Sequence, residues 1–316
     1  LDRVDQRSGT RNSRYSYTNT GTGVTAYVID TGILASHIDF GGRVGAGYTV
    51  YSDGRGTTDC NGHGTHVAGT VGGSTYGIAK AVSLIPIRVL SCSGSGSISG
   101  VIAGINWAIN DHASGTPAVA NMSLGGSYSA SLNSAVANAT ADGIVFAVAA
   151  GNNRRLACSY SPASEPTAIT VGAIGGSDDR ASFTNYGSCV DLFAPGVSIM
   201  SATITSSSAS RMLSGTSMAS PHVAGAAALL LQSDPTATPA QIAALIVNSA
   251  TPDAITGLAA GSPNLVLYTG AAFVSPNPVA PSVPTSLTAV GGVTQASLAW
   301  IAPTQSGGAE VTDYVV

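Results

Sequence analysis

The chain has 316 residues, of which 44% are hydrophobic and 9% are charged. This composition supplies a sizeable buried core and excludes a disordered chain. The 12 basic and 16 acidic residues leave a formal charge of −4 and form no basic run, so we expect no nucleic-acid partner. The longest apolar run, Ala224–Leu231, is far shorter than the roughly 20 residues of a membrane-spanning helix, so no membrane span is predicted.

Short apolar runs alternate with helical patterns along most of the chain. The predicted strands are Val24–Asp30, Val82–Leu90, Val119–Leu124, Ile144–Ala150, Ala168–Ile174 and Val190–Phe193. The predicted helices are Gly64–Gly72, Ser99–His112, Ser129–Ala141, Ser217–Gln232 and Pro239–Ser249. This alternation predicts an α/β fold, a three-layer sandwich with a mostly parallel central sheet. Functional sites are expected at the carboxyl ends of its strands.

The composition changes near Ser275. Residues 275–284 contain four prolines and are predicted to be a linker that follows a domain of residues 1–274. Residues 285–316 form a short β-type C-terminal fragment with predicted strands Leu287–Val290, Ser297–Ile301 and Val311–Val316. This fragment resembles the first strands of a fibronectin type III module. We expect it to be truncated, because about 30 residues cannot bury a core of their own.

The four cysteines allow three pairings, and the residues alone do not choose among them. Pairing neighbours in sequence is the economical choice, and it gives Cys60–Cys92 and Cys158–Cys189. Disulfides of this kind would indicate an oxidising compartment outside the cytosol.

Two further patterns suggest other functions. Cys60, His63 and His66 have the spacing of zinc ligands. The stretch Gly94–Gly100 follows a predicted strand and opens a helix, as a dinucleotide-binding loop does, with Asp111 further along. An NAD-type oxidoreductase is therefore one alternative, and the fibronectin-like fragment suggests a non-catalytic binding protein as another.

An acid, an imidazole and a hydroxyl lie at predicted strand ends and helix starts. Asp30 ends a strand, and His63 and Ser217 each lie at the start of a helix. A serine becomes a useful nucleophile when an imidazole takes its proton and a carboxylate holds that imidazole in the right tautomer. Each residue alone also fits a turn, a core histidine or a helix cap. Their order along the chain, however, is one of the known orders of such triads.

The segments around these residues carry a family resemblance. They read VIDTGI at 28–33, NGHGTHVAGT at 61–70 and SGTSMASPHVAG at 214–225. They resemble the three signatures of subtilisin-like serine proteases, and the resemblance runs from about Leu1 to Tyr268. YSPASEP at 160–166 and SFTNYG at 182–187 are similar to the proteinase K-like branch.

The resemblance implies a secreted serine endopeptidase of broad specificity. Asp30 would orient His63, His63 would act as general base and then general acid, and Ser217 would form the acyl-enzyme. The Asn152 side chain and the backbone N–H of Ser217 would form the oxyanion hole.

The resemblance also implies that substrate binds as an added strand between two extended segments. The expected substrate-binding residues are Gly94, Ser95, Gly96, Ser123, Leu124, Gly125, Ala149 and Gly151. Small, uncharged walls favour apolar or aromatic residues before the cleaved bond. Ile98 replaces a tyrosine of proteinase K near the outer pocket, so selectivity there is not implied.

Structural calcium is the cofactor that the resemblance implies. Asp191 with the carbonyls of Pro166 and Ala168 matches one site of the family, and oxygen ligands suit this hard cation. A further site before Cys60 is expected to be lost, because Thr49 and Gly54 stand where relatives carry aspartates.

Asp2, Asp5 and Gln6 resemble a second, N-terminal calcium site, although Asn12 and Arg14 depart from its ligand pattern. The resemblance further supports the two disulfides and implies a cis bond between Ser161 and Pro162. It gives His66 and His222 structural roles. Peptides and proteins are the expected substrates of a monomeric enzyme, which matures from a zymogen with its own N-terminal pro-segment.

Overall fold

The computed structural model describes residues 1–7, 11–270, 285–291 and 296–301. The chain divides into two compact units, Leu1–Phe273 and Val274–Val316. The residues predicted to form a functional site belong to the first unit. The predicted linker, residues 275–284, lies outside the described residues.

The first unit alternates strands and helices. Its strands are β1 (Thr25–Asp30), β2 (Tyr48–Thr49), β3 (Ser83–Arg88), β4 (Ala118–Met122), β5 (Gly126–Ser127), β6 (Ile144–Ala149), β7 (Tyr160–Ser161), β8 (Ile169–Ile174), β9 (Leu192–Pro195), β10 (Ile199–Ala202), β11 (Ser210–Leu213), β12 (Thr251–Pro252) and β13 (Leu265–Val266). Its α-helices are α1 (His63–Gly72), α2 (Ile98–Asp111), α3 (Ala130–Ala141), α4 (Thr216–Ser233) and α5 (Pro239–Ser249). Ile38–Phe40 and Ala157–Ser159 are short 3₁₀ turns.

One central sheet has the strand order β12-β13-β9-β8-β6-β4-β1-β3-β2. Neighbours from β2 to β13 run parallel, and β12 pairs antiparallel with β13. The mostly parallel sheet is therefore confirmed. Because β1, β4 and β6 are parallel neighbours, their carboxyl ends lie side by side at one edge of the sheet.

Helices cover both faces of this sheet. Ala26 and Val28 of β1 pack in the core layer that contains α1, α4 and α5, whereas Tyr27 and Ile29 pack with α2 and α3. Successive side chains of a strand point to opposite faces, so a strand between two helical layers must be apolar throughout. β6, with the sequence IVFAVA, is buried at every residue. The predicted three-layer α/β sandwich is confirmed.

The helix α4 runs through the middle of the unit and packs against α1, β4, β6, β8 and β9. Its residues from Met218 to Leu231 are all buried, as expected for a helix that is apolar on every side. In the described part of the chain, no helix is both long and apolar enough to cross a membrane.

The predicted boundaries are most accurate where a helix cap is visible in the sequence. The helix α5 begins and ends as predicted, and Thr238 forms a capping box with Gln241. The predicted strand Val190–Phe193 is wrong by two residues, because the N–H of Val190 closes a turn on Gly187 and the strand begins after it.

The two disulfides join Cys60 to Cys92 and Cys158 to Cys189. This confirms the economical pairing. It also removes Cys60 from the zinc hypothesis, since zinc binds a free thiolate.

In its described residues, the second unit contains two antiparallel strands, β14 (Thr285–Gly291) and β15 (Ala296–Ile301). They cover the predicted strands Leu287–Val290 and Ser297–Ile301. The third predicted strand, Val311–Val316, lies outside the described residues, so the fibronectin resemblance stays a prediction.

We predict that Gly225→Ala destabilises the first unit, although alanine is the better helix former. A Cβ atom at Gly225 would lie 2.6 Å from the Cβ of Ile78 and 3.0 Å from the carbonyl oxygen of Val71 in α1. Overpacking of this kind costs about 1–3 kcal/mol. The thermal unfolding midpoint should fall in calorimetry at a fixed scan rate. An unchanged or higher midpoint would contradict a tight contact between α1 and α4.

Candidate active site

Asp30 is the last residue of β1, and it is completely buried. Its Oδ1 atom accepts a hydrogen bond from the backbone N–H of Thr31 at 2.7 Å. Nδ1 of His63 lies 2.8 Å from Oδ1 and 3.0 Å from Oδ2. A carboxylate that is shielded from water is stabilised by hydrogen-bond donors of this kind. The structure therefore brings the predicted acid and the predicted base together.

His63 is the first residue of α1, and the preceding Gly62 has a φ of 100°, in the left-handed region that favours glycine. Because Nδ1 faces a carboxylate, it carries the proton and leaves Nε2 as an acceptor. About a quarter of the side chain is exposed. Burial alone would lower the pKa of His63. The charge and hydrogen bond of Asp30, helped by the Asp59 charge, outweigh burial and raise that pKa above its usual value.

A second buried carboxylate, Asp59, holds the turn that leads into His63, and the sequence analysis missed it. It accepts hydrogen bonds from the hydroxyls of Thr31 at 2.9 Å and Thr65 at 2.6 Å. Three backbone N–H groups of the turn and of the first turn of α1 also donate to it. Asp59 thus ties the end of β1 to the start of α1. An acid just before a helix is the signal that could have identified it.

Ser217 is the second residue of α4. Its hydroxyl donates a hydrogen bond to the carbonyl oxygen of Ser123 at 3.1 Å, and the described hydrogen bonds include none between Ser217 and His63. Both side chains nevertheless border the same segment, residues 123–127. The predicted contact between base and nucleophile is therefore not formed in this conformation. Such contacts often tighten when substrate binds.

The loop after β6 places Asn152 beside the start of α4, next to Ser217. Asn152 Oδ1 accepts hydrogen bonds from the N–H of Thr216 at 2.9 Å and from its hydroxyl at 3.0 Å, which leaves Nδ2 free to donate elsewhere. A Cβ atom at Gly215 would lie 3.6 Å from both Asn152 Nδ2 and the backbone N of Ser217. Two N–H donors therefore border one small space, as an oxyanion hole requires.

Asn185 fixes this loop, a role that the sequence analysis missed although the residue lies in the SFTNYG segment. Its Nδ2 donates to the carbonyl of Ala150 at 2.8 Å. Its Oδ1 accepts from the N–H groups of Asn153 at 2.9 Å and Arg155 at 3.1 Å. All three partners are at least 30 residues away in sequence, so no local pattern reveals them.

A cleft runs across this edge of the sheet as two adjoining cavities of about 540 and 470 Å³. The first contains His63, the second contains Ser217, and residues 123–127 line both. The predicted substrate-binding residues lie here: Gly94, Ser95, Gly96, Ser123, Leu124 and Gly125 line the first cavity, and Ser123, Leu124, Gly125, Ala149 and Gly151 line the second. The glycine-rich stretch that suggested dinucleotide binding is thus one wall of this cleft.

The far wall of the second cavity was not predicted. It is formed by Tyr160, Ser161 and Ala163, and β7 pairs there with β5. The bond between Ser161 and Pro162 is cis, as the resemblance implies. None of the described residues that line this cavity is charged.

His66 and His222 are buried away from the cleft. His66 Nε2 lies 3.0 Å from the carbonyl of Ile199, and burial lowers its pKa to about 4. His222 Nδ1 lies 2.8 Å from the carbonyl of Met218, and burial, with the positive α-amino group, lowers its pKa to about 3. Both are therefore neutral hydrogen-bond donors near pH 7, which agrees with the structural roles expected for them.

Asp191 lies between β8 and β9. Its Oδ2 accepts a hydrogen bond from the N–H of Thr170 at 2.7 Å, and burial raises the pKa of this carboxyl despite that bond. No salt bridge to Asp191 occurs among the described side chains. The predicted carbonyl ligands, Pro166 and Ala168, belong to the segment just before β8.

The N-terminal acids differ in how they are satisfied. Asp2 accepts hydrogen bonds from the side-chain amide of Gln6 and from the N–H groups of Asn12 and Ser13. Asp5 Oδ2 accepts one bond from Ser16 at 2.7 Å, whereas its buried Oδ1 has no hydrogen-bond partner among the described residues.

Known proteins resemble this chain closely. An extracellular serine proteinase of Thermus sp. (strain Rt41A) is 60% identical over 247 residues, which cover 78% of this chain and 60% of that protein. The alkaline serine exoprotease A of Vibrio alginolyticus is 56% identical over 250 residues, which cover 79% of this chain and 46% of that protein. The chain thus spans about half to three-fifths of the length of these relatives.

A crystal structure of a cold adapted subtilisin-like serine proteinase matches with a TM-score of 0.82 and 50% identity, covering 85% of this chain and 97% of that one. The sequence model of the subtilase family matches residues 21–271. These matches confirm the resemblance in the sequence motifs, and the chain belongs to the subtilase family.

Proposed function

We propose that this chain is a serine endopeptidase that cleaves peptide bonds through an acyl-enzyme on Ser217. The observation that carries the proposal is the Asp30–His63 pair, which shares one cleft with Ser217 and two N–H donors. The names of the Thermus and Vibrio relatives, a serine proteinase and a serine exoprotease, support the same chemistry.

In the proposed reaction the Ser217 hydroxyl turns from the Ser123 carbonyl toward Nε2 of His63. Its oxygen attacks the substrate carbonyl carbon while Nε2 accepts the hydroxyl proton, and Asn152 Nδ2 and the Ser217 N–H donate to the oxyanion. His63 then gives the proton to the leaving amine nitrogen as the C–N bond breaks. Water then attacks the carbonyl carbon of the Ser217 ester while His63 accepts its proton. His63 returns that proton to the Ser217 oxygen as the ester bond breaks, which releases the carboxylic acid product.

Substrate would bind as an extended strand between residues 94–96 and residues 123–125, whose segments line the cleft. The second cavity, beside Ser217, would receive the side chain before the cleaved bond. Its small and uncharged walls support a preference for apolar or aromatic side chains and give no partner to a basic one.

We also propose that the protein is secreted, as a monomer that matures from a zymogen by losing an N-terminal pro-segment. The two disulfides support an oxidising compartment, and the Thermus relative is named extracellular. The matched stretch covers 60% of the Thermus relative and 46% of the Vibrio relative, so both contain residues beyond it.

Ser217→Ala should abolish hydrolysis of a blocked peptide anilide, because the variant has no hydroxyl to acylate. We expect kcat to fall by about 10⁶, the loss found for this change in subtilisin, another member of the family. A sulfonyl fluoride should inactivate the wild-type chain with one label on Ser217, located by mass spectrometry.

The matched control is Ser134→Ala, which removes an exposed hydroxyl from α3 and should leave kcat unchanged. Full activity in Ser217→Ala would defeat the proposal. A wild-type chain that binds peptides without cleaving them would instead support a binding protein.

The pH profile should follow the ionisation of His63. Only the neutral imidazole can accept the Ser217 proton, so kcat/KM falls as the pH drops through the His63 pKa. Since Asp30 and Asp59 raise that pKa, the acid limb should have its midpoint above 6.5, the usual value. Asp30→Asn should move the imidazole titration to lower pH, measured by NMR because little activity will remain.

Asp142→Asn serves as the control, since Asp142 pairs with a different histidine, His112, at 2.8 Å. It should leave the acid limb in place. An acid limb centred below 6.5 in the wild-type enzyme would contradict a raised His63 pKa.

We propose that Asp191, with the carbonyls of Pro166 and Ala168, binds a structural calcium ion. The half-buried Asp191 carboxylate accepts one backbone hydrogen bond and has no cationic partner among the described side chains, which fits a calcium ligand. At the N-terminus, Asp5 Oδ1, which has no partner among the residues that the structure describes, fits as well. Asp2 and Gln6 would have to give up their mutual hydrogen bond to bind the metal. Bound calcium would neutralise these carboxylates.

Chelation should therefore lower the thermal unfolding midpoint, and calcium should restore it. We expect Asp191→Asn to have a lower midpoint that responds less to calcium, measured by calorimetry with and without a chelator. Asp5→Asn tests the N-terminal site in the same way. A full calcium response in Asp191→Asn would place the ion elsewhere.

A further inference from the structure

Pro221 lies inside α4, one helical turn after the nucleophile. In an α-helix each carbonyl accepts the N–H of the residue four positions later, and proline has no N–H. The carbonyl of Ser217 therefore lacks its helical partner. A carbonyl in this half-buried position needs a donor from outside the helix.

The hydroxyl of Ser123 supplies this donor. Ser123 Oγ donates to the carbonyl oxygen of Ser217 at 2.7 Å. In return, the Ser217 hydroxyl donates to the carbonyl oxygen of Ser123. Two hydrogen bonds thus join the residue that follows β4 to the nucleophile, and one of them holds the nucleophile's own backbone.

Asn121 fixes the direction of the Ser123 hydroxyl. Asn121 Nδ2 donates to Ser123 Oγ at 2.9 Å, so the hydroxyl hydrogen is left to point at Ser217. Asn121 Oδ1 in turn accepts the hydroxyl of Ser220 at 2.8 Å, which sets the orientation of the amide. The hydrogen bonds run in one direction, from Ser220 through Asn121 and Ser123 to the carbonyl of Ser217.

This chain of hydrogen bonds is shielded from water. Asn121 is 1% exposed, Ser220 is not exposed and Ser123 is 4% exposed. Asn121 also belongs to β4, where it lies opposite Val28 of β1 and Ala147 of β6. A buried and fully hydrogen-bonded network anchored on the central strands is rigid.

We propose that Asn121 and Ser220 are positioning residues for the nucleophile, acting through Ser123 on the backbone of Ser217. The inference rests on the proposed function and deepens it. The network holds the Ser217 carbonyl, and thereby the orientation of the residue that supplies both the attacking hydroxyl and an oxyanion N–H. Neither Asn121 nor Ser220 lines the cleft, so neither touches substrate.

Ser220→Ala tests this inference because it removes the first donor without adding bulk. We expect acylation to slow by about threefold to tenfold, the effect of one lost hydrogen bond. Acylation is measured as the pre-steady-state burst with a blocked peptide ester and as the rate of inactivation by a sulfonyl fluoride. The substrate dissociation constant Ks, read from the substrate dependence of the burst rate, and the acid limb of the pH profile should stay unchanged, because the cleft walls and the Asp30–His63 pair are untouched.

Ser201→Ala is the matched control. Ser201 is equally buried, and its hydroxyl also donates one hydrogen bond, at 2.8 Å, to the backbone carbonyl of His66. Both variants should lose a similar amount of thermal stability, but Ser201→Ala should acylate at the wild-type rate. If acylation slowed equally in both variants, the effect of Ser220 would be one of general stability, and the inference would be overturned.

A double-mutant cycle tests whether Ser220 acts through Ser123. If the two act in series, Ser123→Ala combined with Ser220→Ala should be no slower than the slower single variant. Losses that multiply would overturn the inference. If Ser220→Ala does not fold, Pro221→Ala offers a second route, because it returns an N–H to the Ser217 carbonyl.

In the Pro221→Ala background, Ser123→Ala should slow acylation less than it does in the wild-type chain. An equal loss in both backgrounds would show that Ser123 does not substitute for the missing helical bond. A wild-type chain that forms no acyl-enzyme defeats the proposed function itself. An active wild-type chain with a fully active Ser220→Ala variant defeats only this inference.

Discussion

The hydrogen bond between the buried Asp30 carboxylate and His63 is the interaction on which the rest of the site depends. A charge without water is stable only when fixed donors surround it, and Asp30 receives them from Thr31 and from the imidazole. That requirement fixes the position of His63 and the tautomer of its ring. Asp59, in the turn that leads into His63, meets the same requirement, because five hydrogen-bond donors surround its carboxylate. The start of α1 is therefore held by two buried acids.

Ser217, the proposed nucleophile, is held by a different means, because its surroundings in α4 are neutral. A helix that is buried on all sides has little freedom to shift, and small residues such as Gly225 allow it to pack closely against α1. Charge fixes the acid and base, and packing with neutral hydrogen bonds fixes Ser217. The two halves meet at the carboxyl edge of β1, β4 and β6, and the cleft lies where they meet.

Much of this arrangement could be predicted from the sequence, because the signals are local. Asp30, His63, Ser217 and Asn152 lie in or beside short motifs, and the strands between them are apolar runs. Features built from distant contacts could not be predicted. The β10–β11 hairpin was missed because its sequence is short and rich in serine rather than alternating. The boundary error at β9 came from a turn bond that apolar composition does not reveal.

The same reasoning explains why the sequence alone indicates no role for Asn121. Asn121 and Ser220 are 99 residues apart, and each is ordinary in its own element. The hydrogen bond between them gains a meaning only because Pro221 removes the helical partner of the Ser217 carbonyl. Pro221 itself is visible in the sequence, as a helix breaker within an apolar helix. A proline one turn after a nucleophile leaves a free carbonyl at the residue that must be held most firmly. Ser123, which follows β4 and lines the cleft, supplies the donor for this carbonyl, and so joins the cleft wall to the proposed nucleophile.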